Sequence, residues 1–486
     1  MFADLSPAHW LTLHSLVSAV ALMLYIIASR LLLQRRHPSA AIAWVLFIVF
    51  MPYLALPAFL TFGSRKQARP RAAPVRRPPG AGDAALSWAA RTAVALGQPE
   101  PAPYTGLHLH ADGGAALTAL WQVIDGAQHS LDICTYIVGD DALGSQVIER
   151  LCARARAGVR VRLLLDGLGR LIGGRPNLKP LAAAGVELTL FVPPLHSPLK
   201  GRTNLRNHRK LLVADAALPA RRVWSGGRNL AGEYFEGTPA RPAWHDLSFD
   251  LGGPLVLQAH TLFEHDWAFA NGRKAPAPEH LPAAPAQGRS PVAPGPAAPT
   301  HWRAGIDADP GAQLIASGPD QVDDTLHALF VGAAYRATQR VLLATPYFVP
   351  DAALLMALCL AARRGVQVDL LLPARSNHRL SDLARRRALR TLSAAGAQVR
   401  FTPHMLHAKL VVVDSEVAFA GSANLDGRSL FLNYELMFGF HDAGAITACA
   451  DWFTQEQRLA TPHRPQRAGL LTDVAEGLLL WLGFQL

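Results

Sequence analysis

Gly158-Val159-Arg160-Val161-Arg162-Leu163-Leu164-Leu165 recurs, 207 residues on, as Gly365-Val366-Gln367-Val368-Asp369-Leu370-Leu371-Leu372. Each is a helix-stopping glycine followed by a short apolar run of strand length. The surroundings repeat as well. Ser130–Tyr136 and a helical stretch, Leu143–Ala157, precede the first copy; Arg340–Tyr347 and Ala352–Arg364 precede the second. Strand, amphipathic helix, glycine stop and strand make a βαβ unit. A further helix end and strand follow each copy, Ala184-Gly185-Val186-Glu187-Leu188 and Ala395-Gly396-Ala397-Gln398-Val399. A repeat of this length is evidence about the whole chain. It predicts an α/β protein of two tandem domains around mostly buried sheets, 104–273 and 301–465, joined by the Ala/Pro-rich tract 274–300.

Downstream of its βαβ unit each half carries His-x-Lys-x4-Asp: His208, Lys210 and Asp215 in the first, His407, Lys409 and Asp414 in the second. Both motifs fall on Val/Leu-rich segments that read as strands. Positions i and i+2 then share a face, so each His and Lys project together. Each Asp falls on the opposite face or past the turn, and is expected to support the site, paired with a basic residue. A glycine turn and an asparagine follow: Gly226-Gly227-Arg228-Asn229, then Gly421-Ser422-Ala423-Asn424. Such turns bring backbone N–H groups to an oxyanion, and the amide adds a donor. One carboxylate per half comes later, Asp246 and Glu435.

Two His, two Lys, two Asn and two carboxylates in one order, twice, suggest one composite site for a phosphoryl group. One neutral imidazole attacks phosphorus and the other, protonated, serves the leaving alcohol. The ammoniums and amides hold the equatorial oxygens as charge grows. A carboxylate on each Nδ1–H fixes the tautomer. No metal or other cofactor is required. His108-x-His110 and His404-x-x-His407 lack the companions of a metalloenzyme motif, and there is no nucleotide-binding glycine loop.

The 486 residues leave room for about three units. Lys and Arg exceed Asp and Glu by 11, charged residues are 17% and apolar ones 50%. That composition excludes an acidic disordered chain and a coiled coil, and favours anionic partners. Cys134, Cys152, Cys359 and Cys449 lie scattered in apolar runs and are expected as reduced core thiols. Trp10–Ala28 has no Lys, Arg, Asp or Glu, and a second apolar run spans Ala40–Phe62, broken by Pro52 and Pro57. Both approach the ~20 residues that cross a bilayer. With no basic segment ahead of the first, the pair reads as a transmembrane hairpin over 1–63 and not as a signal peptide. Three arginines in its loop (Arg30, Arg35, Arg36) against six basic residues beyond it (Arg65, Lys66, Arg69, Arg71, Arg76, Arg77) put the domains on the cytoplasmic side. Residues 64–103 read as a basic Pro/Ala-rich tether, and 466–486 as an apolar tail lying at the interface or packed on the core.

At these motifs the chain resembles the phospholipase D superfamily, whose signature is the duplicated His-x-Lys-x4-Asp, and within it the bacterial cardiolipin synthases. Arg35-Arg36-His37-Pro38, Asn204-Leu205-Arg206-Asn207-His208, Met405-Leu406-His407 and Asn433-Tyr434-Glu435 extend the likeness over nearly the whole length. The resemblance implies two like domains meeting at a pseudo-twofold interface, with His208 forming a phosphatidyl-histidine and His407 protonating the leaving glycerol. It implies Lys210, Lys409, Asn229 and Asn424 as phosphate ligands, and Asp246 and Glu435 as the carboxylates that orient the histidines. The expected partners are phosphatidylglycerol, other anionic phospholipids and the bacterial inner membrane, in a multi-pass protein. Nucleic acid is not expected, and nothing in the sequence marks an oligomeric state. A phospholipase D-type hydrolase, a nuclease of the same superfamily and a membrane scaffold are the alternatives. In two places the halves differ. Ten residues separate Asp215 from Gly226 against six between Asp414 and Gly421, and Gly227 stands where the second half has Ser422.

Overall fold

In the computed structural model, residues 7–31, 38–62, 86–193, 204–238, 241–273, 306–321, 323–465, 469 and 476 are described. The linker 274–300 and most of the tail and tether lie outside them. The strands of both halves join in one sheet. Its order runs from Glu187–Leu190 through Arg160–Leu165, Ser130–Thr135, Leu211–Ala214, Arg222–Gly226 and Ser248–Gly252 to Ala102–His110. It continues through Ile306–Ser317, Asn433–Phe440, Val417–Gly421, Leu410–Val413, Arg340–Ala344 and Gln367–Pro373 to Gln398–Thr402, with Thr461–Pro462 at the edge. Read outward from the antiparallel junction of Ala102–His110 with Ile306–Ser317, the two sequences of strands are the same.

The βαβ reading holds in register. Ser130–Thr135 lies parallel to Arg160–Leu165, and Arg340–Ala344 parallel to Gln367–Pro373. Helices Ala142–Arg156 and Ala352–Arg363 make the crossovers, each capped by an aspartate, Asp141 and Asp351, that accepts a backbone N–H. Glu187–Leu190 and Gln398–Thr402 extend these parallel sets, while the strands from Leu211–Ala214 across to Leu410–Val413 pair antiparallel, so the sheet is mixed. Leucine, valine and phenylalanine fill one core per half. A third core, including Leu211, Phe249, Leu410 and Phe438, lies across the seam. All four cysteines are buried thiols.

The tether ends earlier than 103. Trp88–Ala95 is a helix capped by Ser87, with Trp88, Ala89 and Ala93 packed into the second-half core, and Ala102–His110 is a central strand. Trp88 and the alanines supply the apolar face that overrides the Pro/Ala composition around them.

At the N-terminus, Pro7–Leu31 packs against Pro38–Phe50 and Pro52–Phe62 through Ala21, Tyr25, Ile48, Ala55 and Phe59. His9–Ile27 is long and apolar enough to cross a membrane. The second apolar run is not one continuous span. Pro52 has no N–H to donate and its ring crowds the preceding turn, so the helix stops at Phe50 and restarts. The pieces, 13 and 11 residues, rise roughly 20 and 16 Å, short of ~30 Å of hydrocarbon. The Val49 carbonyl beside the break accepts from His14 Nε2 at 2.9 Å. Of the tail, Glu476 is buried and paired with Arg390 at 2.6 Å, so at that residue the chain is packed on the second half.

Candidate active site

Each histidine stands at the entrance to a strand, not within it: Leu211–Ala214 and Leu410–Val413 begin one residue after each motif lysine. Both entrances lie at the seam and are stitched to the opposite half. Arg206–Asn207 pairs in parallel with Asn433–Tyr434, and the His208 N–H donates to the Tyr434 carbonyl at 2.9 Å. In mirror fashion His245 bridges Leu406, and the His407 N–H donates to the His245 carbonyl at 2.6 Å. Arg209, whose side chain is buried between these layers, adds a pin: its guanidinium pairs with Asp266 and donates to the Glu435 and Ser317 carbonyls.

This stitching decides which carboxylate meets which imidazole. Glu435, next after Tyr434, lies 3.1 Å from His208 Nδ1, and Asp246, next after His245, lies 2.6 Å from His407 Nδ1. Each histidine is thus held by the other half's carboxylate, so neither half has a complete dyad by itself. The sequence offered one carboxylate per half without saying which histidine it served.

The two carboxylates are positioned differently. Glu435 accepts from Ser422 Oγ at 2.5 Å and from Asn433 Nδ2 at 3.2 Å. Asp246 accepts the Leu247 N–H at 2.7 Å. A Cβ on Gly227 would stand 2.2 Å from Asp246 Oδ1. The missing hydroxyl in the first half therefore has a steric cause: Asp246 occupies the place a serine side chain needs.

Lys409 Nζ lies 2.8 and 3.0 Å from the two ring nitrogens of His407, as same-face positions require. Lys210 Nζ donates to the His208 carbonyl at 2.7 Å, as Lys409 Nζ does to that of His407, but sits over the Tyr136 ring. Asn229 donates to the Tyr234 hydroxyl at 2.8 Å, and the Oδ1 atoms of Asn229 and Asn424 are buried without a hydrogen-bond partner. Such orphaned polar atoms mark where a bound group would complete the hydrogen bonding. Tyr136 meets the His208 ring edge-on at 5.2 Å, while Tyr234 and Trp244 wall His407 at 5.1 and 5.3 Å. Tyr136 and Tyr347 end matching strands and were findable from the repeat. Tyr234 has no counterpart, and no sequence signal pointed to it.

The motif aspartates are not brought to this cluster. Asp215 accepts the N–H groups of Gln128, His129 and Ser130, and Asp414 those of Thr338, Gln339 and Arg340. Both take left-handed φ, +51° and +50°, at the turn leaving the motif strand. A short aspartate tolerates that conformation, and its carboxylate replaces the missing strand partners. A four-residue strand separates each from its lysine, roughly 16 Å along an extended chain. Their carboxylates bind backbone N–H groups in place of the basic side chains expected of them; they hold the sheet and touch nothing that reacts.

Burial sets the protonation of the unliganded site. It pushes His208 below the ordinary imidazole range against the pull of Glu435, and His407, beside the Lys409 ammonium, down to about 3. Burial also lowers Lys210 to about 7 and Lys409 to about 8. It would raise Asp246 and Glu435, but the facing histidine in each case, with Lys409 and Lys210, outweighs it and holds both ionised. Between pH 7 and the ordinary lysine range the unfolded chain therefore binds more protons than the folded one, and the empty protein gains stability as pH rises across that window. A bound anion reverses the lysine shift. Calorimetric titration at pH 8 with glycerophosphoglycerol, a diester of constant charge, in buffers of different ionisation enthalpy should show net proton uptake that shrinks toward pH 6, where the lysines are already charged and the histidine alone takes up a proton. Proton release would contradict this electrostatic picture.

Other His/carboxylate groups occur among the described residues. His245 and His404 share Glu456, at 3.0 and 2.8 Å, with rings stacked 3.5 Å apart at 21°. A metal must lie near both ring planes, about 2 Å from each nitrogen, and nearly parallel stacked rings do not converge that way. His260 and Glu264 meet Asp132 where Arg162 already binds both carboxylates. His108 and His110 flank Asp250, which also pairs with Arg222.

Comparison with known proteins gives a consistent picture. The family model described as cardiolipin synthase, PLD-like domain, matches residues 120–267 and again 333–457, and a phospholipase D-nuclease N-terminal model matches 22–64. Cardiolipin synthase A of Pseudomonas fluorescens strain SBW25 is 33% identical over 83% of each chain, and that of Pseudomonas aeruginosa strain LESB58 is 32% identical over 94% of each. Cardiolipin synthase 2 of Bacillus cereus is 29% identical over 87% of this chain and 81% of its own. Among solved structures, phosphatidylserine synthase of Haemophilus influenzae shares the fold, with a TM-score of 0.57 at 12% identity over 82% of this chain and all of that one.

Proposed function

Because the chain belongs to the phospholipase D-like cardiolipin synthase family and is a phosphatidyltransferase, we propose that it joins two phosphatidylglycerol molecules into cardiolipin with release of glycerol. Two histidines in one seam pocket, each held by a carboxylate from the opposite half, carry this reading, because a two-step transfer needs a nucleophile and an acid on one phosphorus.

In the first step His208 Nε2 attacks the phosphorus, the bond to glycerol breaks, and His407 gives its proton to the departing oxygen. In the second, a hydroxyl of another phosphatidylglycerol loses its proton to His407 and attacks, and the phosphorus–nitrogen bond breaks. The nucleophile is assigned to His208 because its side chain is the more open of the two, 13% exposed against 5%. Glu435 holds its Nδ1 and leaves Nε2 free. His407, neutral when the pocket is empty, is recharged by the entering phosphodiester, with Asp246 beside it to stabilise the imidazolium. Lys210, Lys409, Asn229 and Asn424 close on the phosphoryl oxygens, and Ser422 keeps Glu435 in place. The two domains, 104–273 and 301–465, act as one unit because each completes the other's dyad.

The N-terminal helices anchor the enzyme in the inner membrane; a second crossing by the broken helix pair, and catalytic domains on the cytoplasmic side, belong to the same reading. Purified protein in phosphatidylglycerol vesicles, with chelator present, should yield cardiolipin and glycerol in equal amounts. Phosphatidic acid in their place would make water the acceptor and the protein a hydrolase.

A further inference from the structure

Two surface segments adjoin the site, one from each half. Asp166 Oδ2 accepts the Asn207 N–H at 2.9 Å, and its Oδ1 caps the short helix Gly167–Ile172. Gly169 packs so tightly on Tyr136 that a Cβ would come 1.7 Å from the Tyr136 carbonyl oxygen, and Tyr136 is the ring against His208. In the second half Asn377 Oδ1 accepts the Tyr347 hydroxyl at 2.5 Å. Tyr347 immediately precedes Phe348, which pairs with Leu425, the residue after Asn424. Both segments follow the C-terminal end of the matching parallel strand, Arg160–Leu165 or Gln367–Pro373.

Both also expose apolar side chains in an arginine setting. Leu171 and Ile172 are 38% and 59% exposed, and Leu380 is 44% exposed. Exposed Arg175 follows the first pair, with Arg170 before it, and exposed Arg375 and Arg379 precede Leu380. No Asp or Glu occurs from 167 to 186, although exposed Asp140 lies against Gly173 and Gly174, and Asp382, bound to the Ser376 N–H and paired with Arg385, is the only one from 374 to 390. Single exposed leucines are ordinary, but apolar tips flanked by arginines in both halves beside one site are what an anionic lipid surface complements.

We propose that Arg170–Arg175 and Arg375–Leu380 form two lips that dip into an anionic bilayer: Leu171, Ile172 and Leu380 enter the acyl boundary and the arginines meet phosphates. The inference rests on the reading that the substrate is a membrane lipid. It adds a second membrane contact at the site mouth, apart from the N-terminal helices, that passes a headgroup from the bilayer to the histidines without crossing water.

The test uses the full chain in lipid nanodiscs. A fluorophore on Ile172→Cys or Leu380→Cys, labelled selectively because the native cysteines are buried, should be quenched by doxyl lipid in phosphatidylglycerol discs, and one on Thr447→Cys should not. Leu171→Ser with Ile172→Ser should raise the KM for bilayer phosphatidylglycerol about tenfold and leave turnover of soluble dihexanoyl phosphatidylglycerol unchanged. Unquenched lip labels, or equal loss on both substrates, would overturn the proposal. Quenching without activity on either substrate in the native chain would uphold the contact and sink the proposed reaction instead, so the two failures are distinguishable.

Discussion

Replacing His208 with alanine will lower phosphatidyl transfer by at least ~10³-fold, and His407→Ala will do the same, because nucleophile and acid act as a unit. The two losses differ in kind. A phosphatidyl ester of p-nitrophenol departs without a proton, so it relieves the need for an acid and not for a nucleophile. His407→Ala should regain most of its first-step rate on that substrate and accumulate a covalent phosphatidyl-enzyme, visible by mass spectrometry. His208→Ala should stay inactive and remain unmodified. The reverse pattern would exchange the two roles; near-normal rates in either variant would end the two-histidine mechanism. Neither change should unfold the chain, since the backbone bonds of His208 to Tyr434 and of His407 to His245 survive truncation of the ring.

Why the repeat was legible and the wiring was not follows from the range over which each is encoded. Strand, helix and glycine stop are local, so Gly158–Leu165 and Gly365–Leu372 disclosed the architecture, and the duplicated His-x-Lys disclosed the chemistry. Contacts across the seam leave no local trace. Nothing near Glu435 says that it faces His208, because that pairing depends on two residues, Arg206 and Asn207, lying parallel to Asn433 and Tyr434. Motif membership does not by itself give a role. Asp215 and Asp414 recur at the same spacing as the histidines, yet what their position preserves is a left-handed turn and three backbone N–H groups. The apolar run Ala40–Phe62 reads as one span by hydropathy, whereas a single proline without an N–H makes it two helices. Composition sees neither the turn nor the missing donor.

The crossed dyads make the second large prediction, because they tie each carboxylate to a step performed by the other half. Glu435→Gln removes the acceptor on His208 Nδ1 and Asp246→Asn the one on His407 Nδ1. An amide in that place leaves the fold intact but favours the wrong tautomer, a defect worth up to ~10⁴-fold in a histidine–carboxylate pair. We expect losses of about 10² to 10⁴ for each, with the phenotype of the partner and not of the neighbour in sequence. Glu435→Gln, though it lies in the second half with His407, should resemble a His208 lesion and gain nothing from the p-nitrophenol ester. Asp246→Asn, in the first half, should resemble a His407 lesion and be relieved by it. Adding Glu435→Gln to His208→Ala should cost little further, since an orienting group has no effect once the ring it orients is gone. If Asp246→Asn instead proved silent beside His208→Ala and still costly beside His407→Ala, each half would hold its own dyad. The parallel bridges at Asn207 and His245 would then not be what assembles the site.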